Sequence, residues 1–93
     1  MTLLLKDPEA ALDYAVDWGA EYLSADTLAQ SDWQVTPAET GGLSVITNAF
    51  DGKVATATAA GGVPGHLYQL TNHVVLSSGR TDSRSVVLRV EKR

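Results

Sequence analysis

The run from Gly65 to Val90 constrains the fold more than any other part of this 93-residue chain. Tyr68, Leu70, Asn72, Val74 and Leu76 recur at every second position. After the polar stretch Ser77 to Asp82 the same period resumes at Val86, Leu88 and Val90. Side chains of a strand alternate between its two faces, so two such runs joined by a turn describe a long β-hairpin with one apolar face. A Tyr early in the first of these strands, just after Pro64 and Gly65, stands where the tyrosine corner of an immunoglobulin-like sandwich would fall.

The middle of the chain supplies further strands. Ser31 to Val35 predicts a short one with Trp33 and Val35 on one face, and Leu43 to Asn48 predicts the next. Phe50-Asp51-Gly52 reads as a tight turn leading into Val54 to Ala60, where Ala55, Ala57 and Ala59 share one face and Thr56 and Thr58 the other. Small alanines suit an inner face opposite bulky tryptophans, and threonines suit solvent. Pro37 to Gly42 and Gly61 to Gly65 are turn regions. Trp33 lies 15 residues after Trp18, and Leu70 two after Tyr68, which are core spacings of immunoglobulin sandwiches. An aliphatic core would then stand in for the disulfide, since the chain has no Cys.

The first segment is ambiguous. Asp7-Pro8-Glu9 is a good helix start, and Leu12, Ala15, Val16, Gly19 and Leu23 recur at helical spacing. Leu12, Tyr14, Val16 and Trp18 also alternate, with Asp13, Ala15 and Asp17 opposite, as in a half-buried antiparallel strand. Local pattern leaves both open. Gly19 to Gln30 reads as a connection with room for a helical turn at Ser24-Ala25-Asp26.

At this length the expectation is one domain over residues 1–93, able to bury roughly 60–65% of its unfolded surface. The absence of Cys removes any need for an oxidising compartment, and folding in a reducing cytoplasm is the simpler expectation. Met1 to Lys6 is too short for a signal-peptide core, and no apolar run approaches the roughly 20 residues of a membrane-spanning helix, so a soluble chain is expected. Residues 1–51 carry nine acids against Lys6, a net of −8, whereas residues 52–93 carry six basic residues against Asp82 and Glu91, a net of +4. The halves either neutralise one another within the monomer or join unlike patches of neighbouring subunits.

Catalytic constellations are thin. His66 and His73 are seven apart on one strand, so they point to opposite faces and cannot share a metal. The acids Asp7, Asp13, Asp17 and Asp26 form no calcium-loop spacing, Ser77-Ser78-Gly79 lacks an elbow motif, and Gly61 to Gly65 lacks the Lys and Ser of a phosphate loop. No cofactor is expected. Arg80, Arg84, Arg89, Lys92 and Arg93 are too few in so acidic a chain for a nucleic-acid surface. The segment Gly79-Arg80-Thr81-Asp82-Ser83-Arg84 is more specific than a hairpin tip requires. Asp82 is expected to accept from turn amides while Arg80 or Arg84 pairs with an acid such as Asp13 or Asp17.

Asp7-Pro8, Leu12-Asp13-Tyr14-x-Val16-Asp17-Trp18, Leu23, Asp26-Thr27 and Ser31-x-Trp33-x-Val35 together resemble the small phage fiber-tail adaptor proteins. Tyr68-x-Leu70-Thr71-Asn72, Gly79-Arg80-Thr81-Asp82-x-Arg84-Ser85 and Leu88-Arg89-Val90 carry the most specific part of that resemblance, which spans nearly the whole chain. The resemblance implies an immunoglobulin-like β-sandwich of about seven antiparallel strands and makes Leu12 to Trp18 a strand. It also implies a non-enzymatic virion component that links tail or neck and fiber proteins of a tailed phage or prophage, and is made in the bacterial cytoplasm. Arg80, Asp82, Arg84 and Arg89 are the candidate partner contacts, with homo-oligomers in the particle as a further expectation. No nucleic acid or membrane partner is expected. Two other readings are an adhesion or carbohydrate-binding module, which would need an aromatic platform from Tyr22, Trp33 and Phe50, and a small enzyme, for which no cluster is offered.

Overall fold

Seven strands in two sheets make up the computed structural model, which describes residues 2–19 and 26–91. In chain order they are β1 (Thr2–Lys6), β2 (Leu12–Asp17), β3 (Leu28–Thr36), β4 (Leu43–Phe50), β5 (Val54–Gly61), β6 (Leu67–Leu76) and β7 (Thr81–Val90). One sheet has the order β1-β7-β6-β3 and the other β2-β5-β4. The terminal hairpin is as its alternation predicts: Tyr68, Leu70, Asn72, Val74 and Leu76 are all buried, as are Leu88 and Val90 across from them. The helical turn expected at residues 24–26 falls mostly outside the described residues.

The expectation of wholly antiparallel strands needs correction at one place. β1 runs parallel to β7, from Thr2 opposite Val86 to Lys6 opposite Val90, and the Glu91 N–H extends the ladder to the Lys6 carbonyl at 2.9 Å. After Lys6 the chain crosses to the other sheet through the turn at Asp7-Pro8-Glu9, so β1 and β2 lie in different sheets and do not pair as a hairpin. β1 takes the open edge of β7 instead.

The ambiguity at Leu12 to Trp18 resolves as a strand. The helix-start signal at Asp7-Pro8 builds a turn: the Glu9 amide donates to Asp7 Oδ1 at 2.8 Å and the Ala10 amide to the Asp7 carbonyl at 3.1 Å. A helix would put Val16 on the side opposite Tyr14 and Trp18, whereas β2 and the residue that follows it aim all three at the facing sheet. β3 and β4 run longer than their local patterns, because β3 pairs along the ten-residue β6 and β4 along β5.

The core consists of two clusters between the sheets. Trp18, Leu28, Ala55, Val74 and Leu76 form one, and Leu43, Ala59, Tyr68, Leu70, Leu88 and Val90 the other. Trp33 packs against both but is only partly buried. Ala55, Ala57 and Ala59 are fully buried, as their alternation predicts, and their small side chains leave room between the sheets for the large residues of β6, with Ala55 packed beside Val74 and Leu76 and Ala59 beside Tyr68 and Leu70.

Candidate partner-contact site

Strand alternation splits the four candidate contact residues between two faces. Asp82 and Arg84 share the inward parity of Val86, Leu88 and Val90, whereas Arg89 points outward. Arg84 and Arg89 are also about 16 Å apart along β7. They form no single patch.

Each has local partners. Arg80 Nη2 pairs with Asp26 Oδ2 at 3.1 Å, and Ser78 Oγ donates to the same oxygen at 2.8 Å. The acid of the first half is therefore Asp26, not Asp13 or Asp17; the connection preceding β3 places it beside the hairpin tip, where Ser77 N–H also donates to the Thr27 carbonyl. Arg84 lies over the Trp18 ring at 4.3 Å, and its Nη1 donates to the Asp17 main-chain carbonyl at 3.2 Å, not to the carboxylate. Asp82 Oδ1 accepts from the Ser83 amide at 2.7 Å, at the start of β7.

Arg89 has a different setting. Its Nε reaches Glu91 Oε1 at 2.9 Å, with both side chains about half exposed. In the sheet it stands directly between Leu5 of β1 and Leu67 of β6, its Cα partners on either side. Leu5 is 49% and Leu67 55% exposed. Two exposed leucines thus flank an arginine in one cross-strand row on the outer face of the four-stranded sheet. Leu67 follows the strand's outward parity, a signal present in the alternation, but only pairing with β7 reveals its neighbour.

The second surface feature is a cleft of about 480 Å³ where the sandwich opens beside β2. Leu4, Tyr14, Val16, Trp33, Leu70 and Val86 supply its apolar lining, with Asp13, Asp17 and Arg84 at its margins. Tyr14 and Val16 are only partly buried and Leu12 is exposed, so the inward face of β2 is incompletely covered. Two polar atoms of lining residues, the Tyr14 hydroxyl and Trp33 Nε1, are buried without a hydrogen-bond partner among the described residues. Burial pushes the Tyr14 phenol up, keeping it protonated.

Neither histidine belongs to these surfaces. His66 Nδ1 meets Glu39 Oε1 at 2.9 Å, and His73 Nδ1 meets Ser83 Oγ at 2.8 Å on the other face of β6. Glu39 also accepts from the Tyr68 hydroxyl, which in turn accepts from the Val63 amide at 2.9 Å. That backbone contact five residues upstream is the one expected of a tyrosine corner. The Tyr68 hydroxyl, followed by His66, holds the Glu39 carboxyl below its ordinary range. Burial, with Glu39 second, pushes the Tyr68 phenol up, so Tyr68 remains a donor. Among the described residues no three His, Asp or Glu side chains gather as a metal site. Glu39 and the buried Lys6 were not singled out by sequence reasoning, and Asp26 was weighed as a calcium ligand and not as the partner of Arg80, because each acquires its partner through a loop whose path has no periodic signal.

No curated protein matches the chain. The family described as podophage GP4 fiber-tail adaptor protein gp77 matches residues 6–89. The match begins at the buried Lys6 and ends at Arg89, and so contains β2 to β6, nearly all of β7, the hairpin tip and all of the β2 cleft except Leu4. With all but nine of 93 residues covered, the chain belongs to the podophage GP4 fiber-tail adaptor family, a family of phage structural proteins.

Proposed function

We propose that this chain is a non-catalytic connector of a tailed-phage or prophage particle, joining tail or neck components to fiber components through protein–protein contacts. The observation that carries the reading is the Leu5–Arg89–Leu67 row. Interfaces are enriched in arginine set among apolar side chains, and a flat sheet face with this composition suits a protein partner better than a small substrate. Of the four candidate contact residues, Arg89 leads. Arg80 and Arg84 hold the hairpin tip to Asp26 and Trp18, and Asp82 orders the start of β7.

The strand orders support an immunoglobulin-like version of the sandwich. Lettered in chain order, β2-β5-β4 is B-E-D and β3-β6-β7 is C-F-G, the orders of the two constant-type sheets, with A displaced onto G. The adhesion reading finds less support. Trp33 faces the core, Tyr22 lies outside the described residues, and Phe50, 42% exposed, has no aromatic neighbour among the described residues.

Purified particles test the connector. The chain should be present at a fixed copy number by mass spectrometry, and particles assembled without it should lack fibers. Its absence from particles, or normal fibers without it, would end this reading. Arg89→Glu should lower incorporation of a chain whose circular dichroism is unchanged.

A further inference from the structure

The outer edge of β2 is regular, pairs with no further strand among the described residues and lies beside an open apolar cleft, and its hydrogen-bonding direction can be assigned. The Trp18 amide donates to the Lys53 carbonyl at 2.9 Å, so Trp18 and Lys53 form a hydrogen-bonded antiparallel pair. Such pairs alternate with non-bonded ones. Val16, Tyr14 and Leu12 therefore bond β5, whereas Asp13, Ala15 and Asp17 turn their N–H and C=O groups away from it. The Arg84 contact to the Asp17 carbonyl agrees, because that oxygen is reached from outside the sheet. The edges at β3 and β4 carry register shifts, between Leu28 and Gln30 and between Val45 and Thr47, which blunt them as templates. β2 pairs with β5 over six residues without a shift.

We propose that the β2 edge and its cleft take one extended segment of another virion protein by β-augmentation, a segment with apolar side chains at alternate positions and basic side chains between them. The naming of a virion partner rests on the connector reading above. Apolar positions of the added strand would cover Leu4, Trp33, Leu70 and Val86 on the inward side. Its outward positions would lie beside the exposed Asp13 and Asp17, which have no ion pair among the described residues. Cross-strand neighbours of opposite charge are favourable and like charges are not. The same two aspartates oppose self-pairing: an antiparallel β2–β2 contact centred on Ala15 would set Asp13 of one copy against Asp17 of the other. The charge pattern thus selects a basic strand from a different chain. The added strand would complete a four-stranded sheet opposite the existing four-stranded sheet.

The probe is a blocked peptide of alternating lysine and valine, titrated into the full chain, with an alternating glutamate–valine peptide as control. The Ala15 amide should exchange freely in the free protein and become protected on adding the lysine peptide. The glutamate peptide should bind at least about tenfold more weakly. Ala15→Pro removes an N–H that β5 does not use and should abolish binding. A second variant, Asp13→Lys with Asp17→Lys, changes only exposed positions and should reverse the preference between the peptides. No protection of Ala15 at peptide concentrations up to about 1 mM, or binding unchanged in both variants, would refute the site. Concentration-dependent protection of Ala15 without peptide would make a second copy the occupant and overturn the partner assignment. Each of these failures leaves the particle experiment untouched, so the groove and the connector stand or fall separately.

Discussion

The indole N–H of Trp18 donates to Asn72 Oδ1 at 3.0 Å, a buried hydrogen bond that ties the end of β2 to the middle of β6 across the two sheets. The Asn72 amide nitrogen donates in turn to Ser31 Oγ at 2.9 Å and to the Asp32 carbonyl at 3.1 Å, tying in β3. In a chain with no Cys, this polar link joins the two sheets where a disulfide is not available to do so. Asn72→Ala would leave these buried groups unpaired beside a small void, costing about 2–4 kcal/mol. Trp18→Phe should cost about 1–3 kcal/mol, and the double variant should cost less than the two single costs together. Urea denaturation of the four proteins measures the coupling. Strictly additive costs would show that the bond does not link the sheets energetically.

Tyr68 fixes the loop before β6 and the turn before β4 through one hydroxyl, contacting the Val63 amide and Glu39. Tyr68→Phe should lower stability by about 1–3 kcal/mol without opening a cavity. The lowered Glu39 carboxyl adds a pH dependence. A carboxyl whose folded value lies below its ordinary 4.5 stabilises the fold at pH values above 4.5, and that contribution is lost as pH falls below it. Glu39→Gln keeps an acceptor for Tyr68 and should flatten the decline in acid. Urea midpoints at pH 7 and at stepped values below pH 5 compare the two proteins; parallel declines would exclude Glu39 as a contributor.

Lys6 is buried, and its ammonium donates to the Asp7 carbonyl at 2.9 Å and the Gly61 carbonyl at 2.8 Å. Burial pushes the ammonium below its ordinary range, against a smaller opposing pull from Asp7. Lys6→Ala should cost about 2–4 kcal/mol, since it empties the site and strands two carbonyls. Lys6→Met preserves most of the volume and should cost less. Equal losses in thermal unfolding would assign the whole role to the charge-assisted hydrogen bonds.

Gly62 has a φ of +110°, and a Cβ there would meet Val90 Cγ2 at 2.5 Å. Gly79, at +93°, has nothing within 4 Å of the same position. Gly79→Ala should therefore cost only the backbone strain of about 1–2 kcal/mol. Gly62→Ala adds overpacking against β7 and should reach at least about 3 kcal/mol. Denaturation midpoints in the reverse order would show that Val90 yields readily to an added methyl group.

Composition and alternation alone were enough for the strands of the terminal hairpin, the buried alanine face of β5 and the burial of Tyr68. The reason is local: a period of two says which side chains share a face, whatever the rest of the fold does. Leu12 to Trp18 was legible only in part, since its residues satisfy two periods, and the burial of Trp18 against Leu28, Val74 and Leu76 decides between them. Charge reasoning foresaw an acid from the first half for Arg80. That this acid is Asp26 follows from the path of a connection no pattern describes. The parallel placing of β1 on β7, the Leu5–Arg89–Leu67 row and the open edge of β2 were decided by tertiary structure, because each depends on which strands become neighbours. Strand order is set by long-range packing between sheets, and no local period encodes it.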